Sequence, residues 1–280
     1  MFHRFGLGGE PGTGKTRTVM TMPRPLHVIY ADRKGGEEEI VGNEDIGIFV
    51  HYVDPTNPRD SAIAIINNKI KPAISAGKCA SVAYDSASFG QDQQIAKDTS
   101  HNRNSMDMQK WGRSGNHVMD VLDVLYQLNA HVIVTFHIKA EPIKNGKEVV
   151  GKLWKPAVMP MIALRIHKES GLIGYAWKIE SSNGTRTFGT NFLEEMVKPK
   201  GVTRFDCTKS PGWGARETPN ASAWIERLAK EANERRLKAR EELLKGGPAA
   251  PAPEPPADAP STAGEPRDET ENTKNEEALP

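Results

Sequence analysis

Gly8-Gly9-Glu10-Pro11-Gly12-Thr13-Gly14-Lys15-Thr16, directly after the short strand pattern Phe2 to Leu7, decides the fold. Gly9 to Thr16 reads in full as G-x-x-x-x-G-K-[ST], a phosphate-binding loop. Such a loop bends so that successive backbone N–H groups point inward and make a nest for an anion. A lysine at the position of Lys15 reaches the β- and γ-phosphates, and a hydroxyl at Thr16 ligates Mg²⁺. The motif demands a strand before it and a helix after it. Phe2 to Leu7 supplies the strand; Lys15 to about Met22 supplies the helix, stopped by Pro23 and Pro25.

Working outward, Leu26 to Ala31, Ile48 to Tyr52, Cys79 to Tyr84 and Val132 to Phe136 read as buried strands. Helical patterns at Pro58 to Ala76, bent near Pro72, and at His117 to Leu128 alternate with them. Strands alternating with helices over the first half of the chain predict an α/β fold with a mostly parallel central sheet flanked by helices. Beyond that point the pattern changes. Lys139 to Lys155 reads as a mobile basic loop, and Ile162 to Ile166, Tyr175 to Glu180 and Arg186 to Phe188 as strands of a small antiparallel C-terminal extension. Asn183-Gly184 supplies a tight hairpin turn. A last helix, capped by Asn220 or Ser222, runs to Lys245 and stops at Gly246-Gly247.

The second half of a nucleotide site is an acid closing a buried strand. Ser81-Val82-Ala83-Tyr84-Asp85-Ser86 fits, with Asp85 holding Mg²⁺ through water. Two strand-like segments lie between the loop and this acid. That order suits ATPases of the RecA and AAA type; many P-loop kinases and GTPases set the two motif strands side by side and use Asp-x-x-Gly at the acid, a pattern that Asp85-Ser86-Ala87-Ser88 does not match. The expected ligand is therefore ATP with Mg²⁺, the nucleotide on Gly9, Glu10, Pro11, Gly12, Thr13, Gly14, Lys15, Thr16 and Thr18 and the metal on Thr16 and Asp85.

The loop, together with Tyr30-Ala31-Asp32-Arg33-Lys34-Gly35-Gly36, Tyr84-Asp85-Ser86, Lys110-Trp111-Gly112 and Val134-Thr135-Phe136-His137, resembles phage-type P-loop ATPases with a shortened RecA-like core. Several of these are single-strand annealing or recombination proteins. The resemblance runs from Phe2 to Leu228 and implies a RecA-like core over 1–219; the residue pattern adds a charged helix over 220–245, and composition a disordered acidic Pro/Ala-rich tail over 246–280. It implies ATP hydrolysis with Lys15 and Asp85, a catalytic carboxylate after the second strand (Asp32, with Glu37, Glu38 or Glu39 as substitutes) and a γ-phosphate sensor at His137. It further implies single-stranded DNA as substrate and assembly as a homo-oligomer, in which Lys209 or Arg216 reaches the nucleotide of the next subunit. A single-strand-binding protein is an expected partner. A DNA-packaging or helicase-loading ATPase, a small-molecule phosphotransferase and a weakly hydrolysing scaffold stay open beside this function.

Two segments suit nucleic acid. Lys139, Lys144, Lys147, Lys152 and Lys155 accompany Trp154, offering cations for phosphates and a ring for a base. Arg103, Lys110, Trp111 and Arg113 form the second. Composition bounds the rest. Residues 246–280 hold eight acidic and two basic residues, many Pro and Ala and no aromatic ring, a composition that cannot offset its ordering entropy. Setting that −6 against the whole-chain +1 leaves +7 on residues 1–245, compatible with a polyanionic partner. Cys79 and Cys207 lack metal-ligand or disulfide-framework spacing, and no apolar run approaches a membrane span, so a cytoplasmic protein without membrane contact is expected. Deleting 247–280 should leave the thermal transition of the remainder nearly unchanged and tighten oligonucleotide binding most at low salt. A large fall in melting temperature would mean that the tail docks.

Overall fold

The computed structural model describes residues 2–32, 46–54, 56–99, 108–193, 195–198, 201–205 and 213–245. The apolar runs become one seven-stranded sheet of order β3-β2-β4-β5-β1-β8-β9, from β1 (Arg4–Gly9), β2 (Leu26–Tyr30), β3 (Ile48–Tyr52), β4 (Ser81–Asp85), β5 (His131–Phe136), β8 (Leu172–Glu180) and β9 (Arg186–Asn191). All neighbours run parallel except β9, which returns antiparallel to β8. Every residue of β2 and β4 is buried, as expected of parallel strands covered on both faces.

Alternation along β5 assigns its side chains to two cores. Val132, Val134 and Phe136 join Val118, Val121, Leu122 and Leu125 of the helix Met108–Tyr126 on one face. Ile133 joins Phe5, Leu7, Val19 and Trp224 on the other. The four helix residues recur at three- and four-residue spacing, the stripe that an amphipathic helix buries.

The helices are α1 (Lys15–Val19), α2 (Ala62–Ile65), α3 (Lys71–Ser75), α4 (Ala87–Asp98), α5 (Met108–Tyr126), α6 (Pro160–Glu169) and α7 (Ala221–Lys245). Between α2 and α3, Ile66–Ile70 forms a π turn. The irregularity expected at Pro72 thus begins before it, where a wider turn precedes the residue that has no N–H to donate. The helix expected from His117 begins earlier, at Met108, and a further helix, α4, precedes it. Ile162 to Ile166 is not a strand. It lies in α6, where Ile162 and Ile166, four apart, are buried and Pro160 occupies the first turn.

The basic segment 139–155 is not a loop either. β6 (Ile138–Asn145) and β7 (Glu148–Pro156) form a hairpin, turning at Gly146 with φ 63°. With β10 (Glu195–Lys198) and β11 (Gly201–Phe205) they make a small, largely antiparallel sheet of order β10-β11-β7-β6, in which β11 and β7 run parallel. The anticipated extension is therefore present but built from other segments; β8 belongs to the main sheet and pairs parallel with β1.

The chain divides into two compact units, 1–233 and 234–280. In the first, the Asn220 side-chain carbonyl caps α7 by accepting from the Ala223 N–H at 3.1 Å. Trp224 Nε1 donates to the Thr218 carbonyl, and the Arg227 guanidinium lies 4.2 Å over the Trp213 ring. Among the described residues no helix is long and apolar enough to cross a membrane.

Candidate active site

The loop between β1 and α1 takes the shape its glycines permit. Gly12 and Gly14 have φ of 71° and 84°, in the left-handed region, and a methyl group on Gly9 would sit 2.5 Å from Thr13 Oγ1. Lys15 is buried, and its Nζ donates to the carbonyls of Gly9 at 2.9 Å and Glu10 at 3.0 Å. Burial pushes its ammonium below the ordinary lysine range; the carboxylates of Asp85, Asp32 and Glu10 pull it back. Such an ammonium gains most from an arriving polyanion.

Asp85 closes β4, buried at the level of the loop. Thr16 Oγ1 donates to its Oδ2 at 2.7 Å, joining the two expected metal positions, and Thr135 Oγ1 donates to its Oδ1. Burial raises the Asp85 carboxyl above its ordinary value, opposed by these two hydroxyls and by Lys15. Thr135 was read only as part of the string ending in His137. Its signal is a hydroxyl inside the apolar strand Val-Ile-Val-Thr-Phe, on the strand paired with the one that carries the acid. A buried carboxylate held by hydroxyls beside one lysine fits a divalent cation at the Asp85–Thr16 edge.

Asp32 follows β2, half-buried, and its charge acts on Lys15, Asp85 and His137. It is held there from two sides: the Ala31 N–H donates to the Asp85 carbonyl at 2.7 Å, and Gln93 Nε2 donates to the Ala31 carbonyl. Glu37, Glu38 and Glu39 lie outside the described residues. His137 follows β5 with its N–H donating to Ser88 Oγ at 2.9 Å and its ring edge-on to Phe89 at 4.9 Å. Burial and then the Lys15 charge hold its imidazole below the ordinary histidine value, with Asp32 and Asp92 opposing. Lys15, Thr16, Asp32, Asp85 and His137 thus converge from the loop, β2, β4 and β5.

Asp32→Asn is expected to leave nucleotide affinity intact and lower turnover by about a hundredfold or more, the scale of a lost general base. Steady-state turnover beside equilibrium nucleotide binding tests this; a parental rate would move the base elsewhere, first to Glu37–Glu39.

The strands on the other side of β1 were not anticipated at the loop. A methyl group on Gly12 would lie 3.4 Å from Lys178 Nζ, and one on Gly14 would lie 3.2 Å from the Phe188 ring. Lys178 and Phe188 pair across β8 and β9, so one face of that hairpin covers the loop.

The basic set does not assemble as one patch. Lys139 and Lys155 face each other across the hairpin and share Glu141, at 3.7 and 2.5 Å. Lys152 and Trp154 belong to the opposite face, since successive strand residues alternate. Lys144 and Lys147 flank the turn at Gly146. Trp111 and Arg113 are exposed at the start of α5; the Lys110 side chain and Arg103 lie outside the described residues. Arg216 is exposed, and Lys209 lies outside the described residues.

Residues 2–198 match the AAA domain family. The chain belongs to this family. The loop, Asp85 and the interposed β5 give this domain the strand order of a P-loop nucleotide-binding fold in which the two motif strands are not neighbours. The strand between them in space is β5, whereas β2 and β3, which intervene in sequence, lie outboard of β4. Solved structures similar to this AAA domain chain include an ATPase from the type III secretion system of pathogenic bacteria, with a TM-score of 0.39 and 11% identity, covering 62% of this chain and 51% of that one. The flagellar accessory protein FlaH from Methanocaldococcus jannaschii is another, with a TM-score of 0.32 and 9% identity, covering 68% and 76%. The chain spans about half the length of the secretion ATPase (51%). No curated protein matches the chain.

Proposed function

We propose that this AAA domain protein is a Mg²⁺-dependent ATPase acting on single-stranded DNA in phage-type annealing or recombination, as a homo-oligomer beside a single-strand-binding protein. One observation carries the reading. β5 brings Thr135 to Asp85 and His137 into the field of Lys15, and His137 alone separates it from the lysine-bearing hairpin β6–β7. A change at the nucleotide is thereby mechanically joined to a basic sheet suited to a polyanion.

In this reading Lys15 and the loop N–H groups hold the β- and γ-phosphates. Thr16 and Asp85 would hold Mg²⁺, which when bound neutralises charge on the phosphate oxygens. Asp32 orients the attacking water and accepts its proton. His137, kept neutral, is a hydrogen-bonding group whose contacts change when the γ-phosphate leaves, and that difference biases the hairpin. Arg216, or Lys209, completes the site of a neighbouring subunit.

The test is ATP turnover with no nucleic acid, single-stranded DNA, duplex DNA and RNA. Stimulation by single-stranded DNA above the other three is expected. Turnover indifferent to all of them, with no oligonucleotide bound in any nucleotide state, would overturn the reading.

A further inference from the structure

A cleft of about 630 Å³ opens where β8 runs past the end of β1, between the small sheet and the phosphate loop. Its aromatic wall is Trp154 and Phe205, cross-strand neighbours on one face of the parallel β7–β11 pair and both half-buried. Tyr175 stands behind them, its ring 5.4 Å from that of Phe205. Lys178, Arg216 and Trp177 also line the cleft, and Glu10, the one acidic residue among the described lining residues, belongs to the loop. Lys152 lies on the same face of β7 as Trp154, two residues away.

These rings pack against the core that holds α5, whereas Val19 of α1 belongs to the core across the sheet. The cleft also meets the phosphate loop, at Glu10 and Thr13. The cleft has the size of a small-ligand site. It pairs a two-ring platform with the cations Lys178 and Arg216 in its lining, and Lys152 stands two residues from Trp154 on the same face of β7. A free nucleotide carries phosphate on one side of its sugar. A strand carries it on both, which matches this distribution. Stacking of bases on aromatic rings with lysines tracking the phosphates is the chemistry of single-strand binding.

We propose that an unpaired base of a nucleic acid single strand stacks on Trp154 and Phe205 in this cleft, its flanking phosphates on Lys178, Arg216 and Lys152. The inference rests on the single-strand reading above and relocates its contact. The site is the face of the hairpin that carries Trp154, not the face where Glu141 neutralises Lys139 and Lys155. Because Lys178 Nζ also approaches Gly12, the cleft is joined to the phosphate loop through one side chain.

Fluorescence anisotropy of a labelled oligothymidylate, and of an abasic strand of the same length, tests the proposal on the full chain. The parent should bind oligothymidylate more tightly than the abasic strand. Trp154→Ala should weaken oligothymidylate binding by about 5- to 150-fold, the range of one lost base–aromatic stack, and should erase the difference between the strands. Trp154→Phe should retain most of both. The parental comparison stands even if Trp154→Ala folds poorly. Equal parental affinity for the two strands overturns the proposal. So does a loss of ATP-analogue affinity in Trp154→Ala as large as the loss for the oligonucleotide, since the cleft would then hold the ATP base. An oligonucleotide that stimulates turnover but binds regardless of Trp154 and Phe205 defeats the cleft alone. One that never binds defeats the functional reading as well.

Discussion

Replacing Lys15 by alanine is expected to abolish ATP binding at working concentrations and to lower kcat/KM by about 10³-fold or more. Loss of one donor aimed at developing charge already costs 10²–10³-fold, and Lys15 also supplies the cation inside the loop. The unliganded fold should not suffer. Lys15 donates only to two loop carbonyls, and burial already disfavours its charge. Loss of a charge that burial disfavours is set against loss of the cation that offsets the buried Asp85 carboxylate, so the melting temperature should stay near that of the parent. The distinguishing readout is ligand-induced stabilisation. A nucleotide at about a hundred times its Kd should stabilise the parent by about 2.7 kcal/mol, and the variant not at all. Undiminished affinity in a folded Lys15→Ala protein would falsify the assignment of the loop.

The loop and Asp85 were legible because each is a contiguous string whose chemistry is fixed by local backbone: glycines that allow the nest, and an acid closing an apolar strand. The placement of Asp32 and His137 near Lys15 was legible because the ends of parallel strands meet at one edge of the sheet. Thr135 shows the limit. Its role depends on β5 pairing with β4, a contact 50 residues apart in sequence. The hairpin 138–156 was misread because lysine density was weighed as loop character, although Asn145-Gly146 carries the same turn chemistry as Asn183-Gly184. Ile162 to Ile166 was misread because a short apolar run fits strand and helix alike. There, Pro160 and the four-residue spacing of buried Ile162 and Ile166 favoured the helix. The cleft was invisible for another reason: Trp154, Tyr175 and Phe205 come from three strands of two sheets, and no spacing announces that they converge.

Asp85→Asn is the sharper probe of what the site demands of the fold. Turnover should fall by about 10³-fold, since metal-centred charge stabilisation is worth several kcal/mol and each 1.36 kcal/mol is tenfold in rate. Nucleotide affinity should largely persist, because the loop and Lys15 are untouched. The same variant should melt at a higher temperature than the parent. Asp85 is fully buried and its carboxyl is raised, so its ionised form destabilises the empty site at neutral pH. The sign with pH follows. Between the ordinary carboxylate value and the raised one, the folded chain binds more protons than the unfolded chain; stability therefore falls as pH rises through that window and is greatest below it. His51 works the other way: burial first, then His27 and Lys69, push it down to about 4, so its contribution is complete above the ordinary histidine value and is lost as pH falls toward 4. The parental profile mixes these titrations with those of the other lowered histidines, His27 and His137 among them. The difference between variant and parent removes His51, which both share, and leaves Asp85. That difference, measured by thermal unfolding without nucleotide or metal, should grow as pH rises from the acid side and then level off. A variant that gains nothing at neutral pH, or a difference that shrinks as pH rises, would mean that Asp85 is already compensated in the empty protein. The Thr16–Asp85 edge would then not be held ready for a cation.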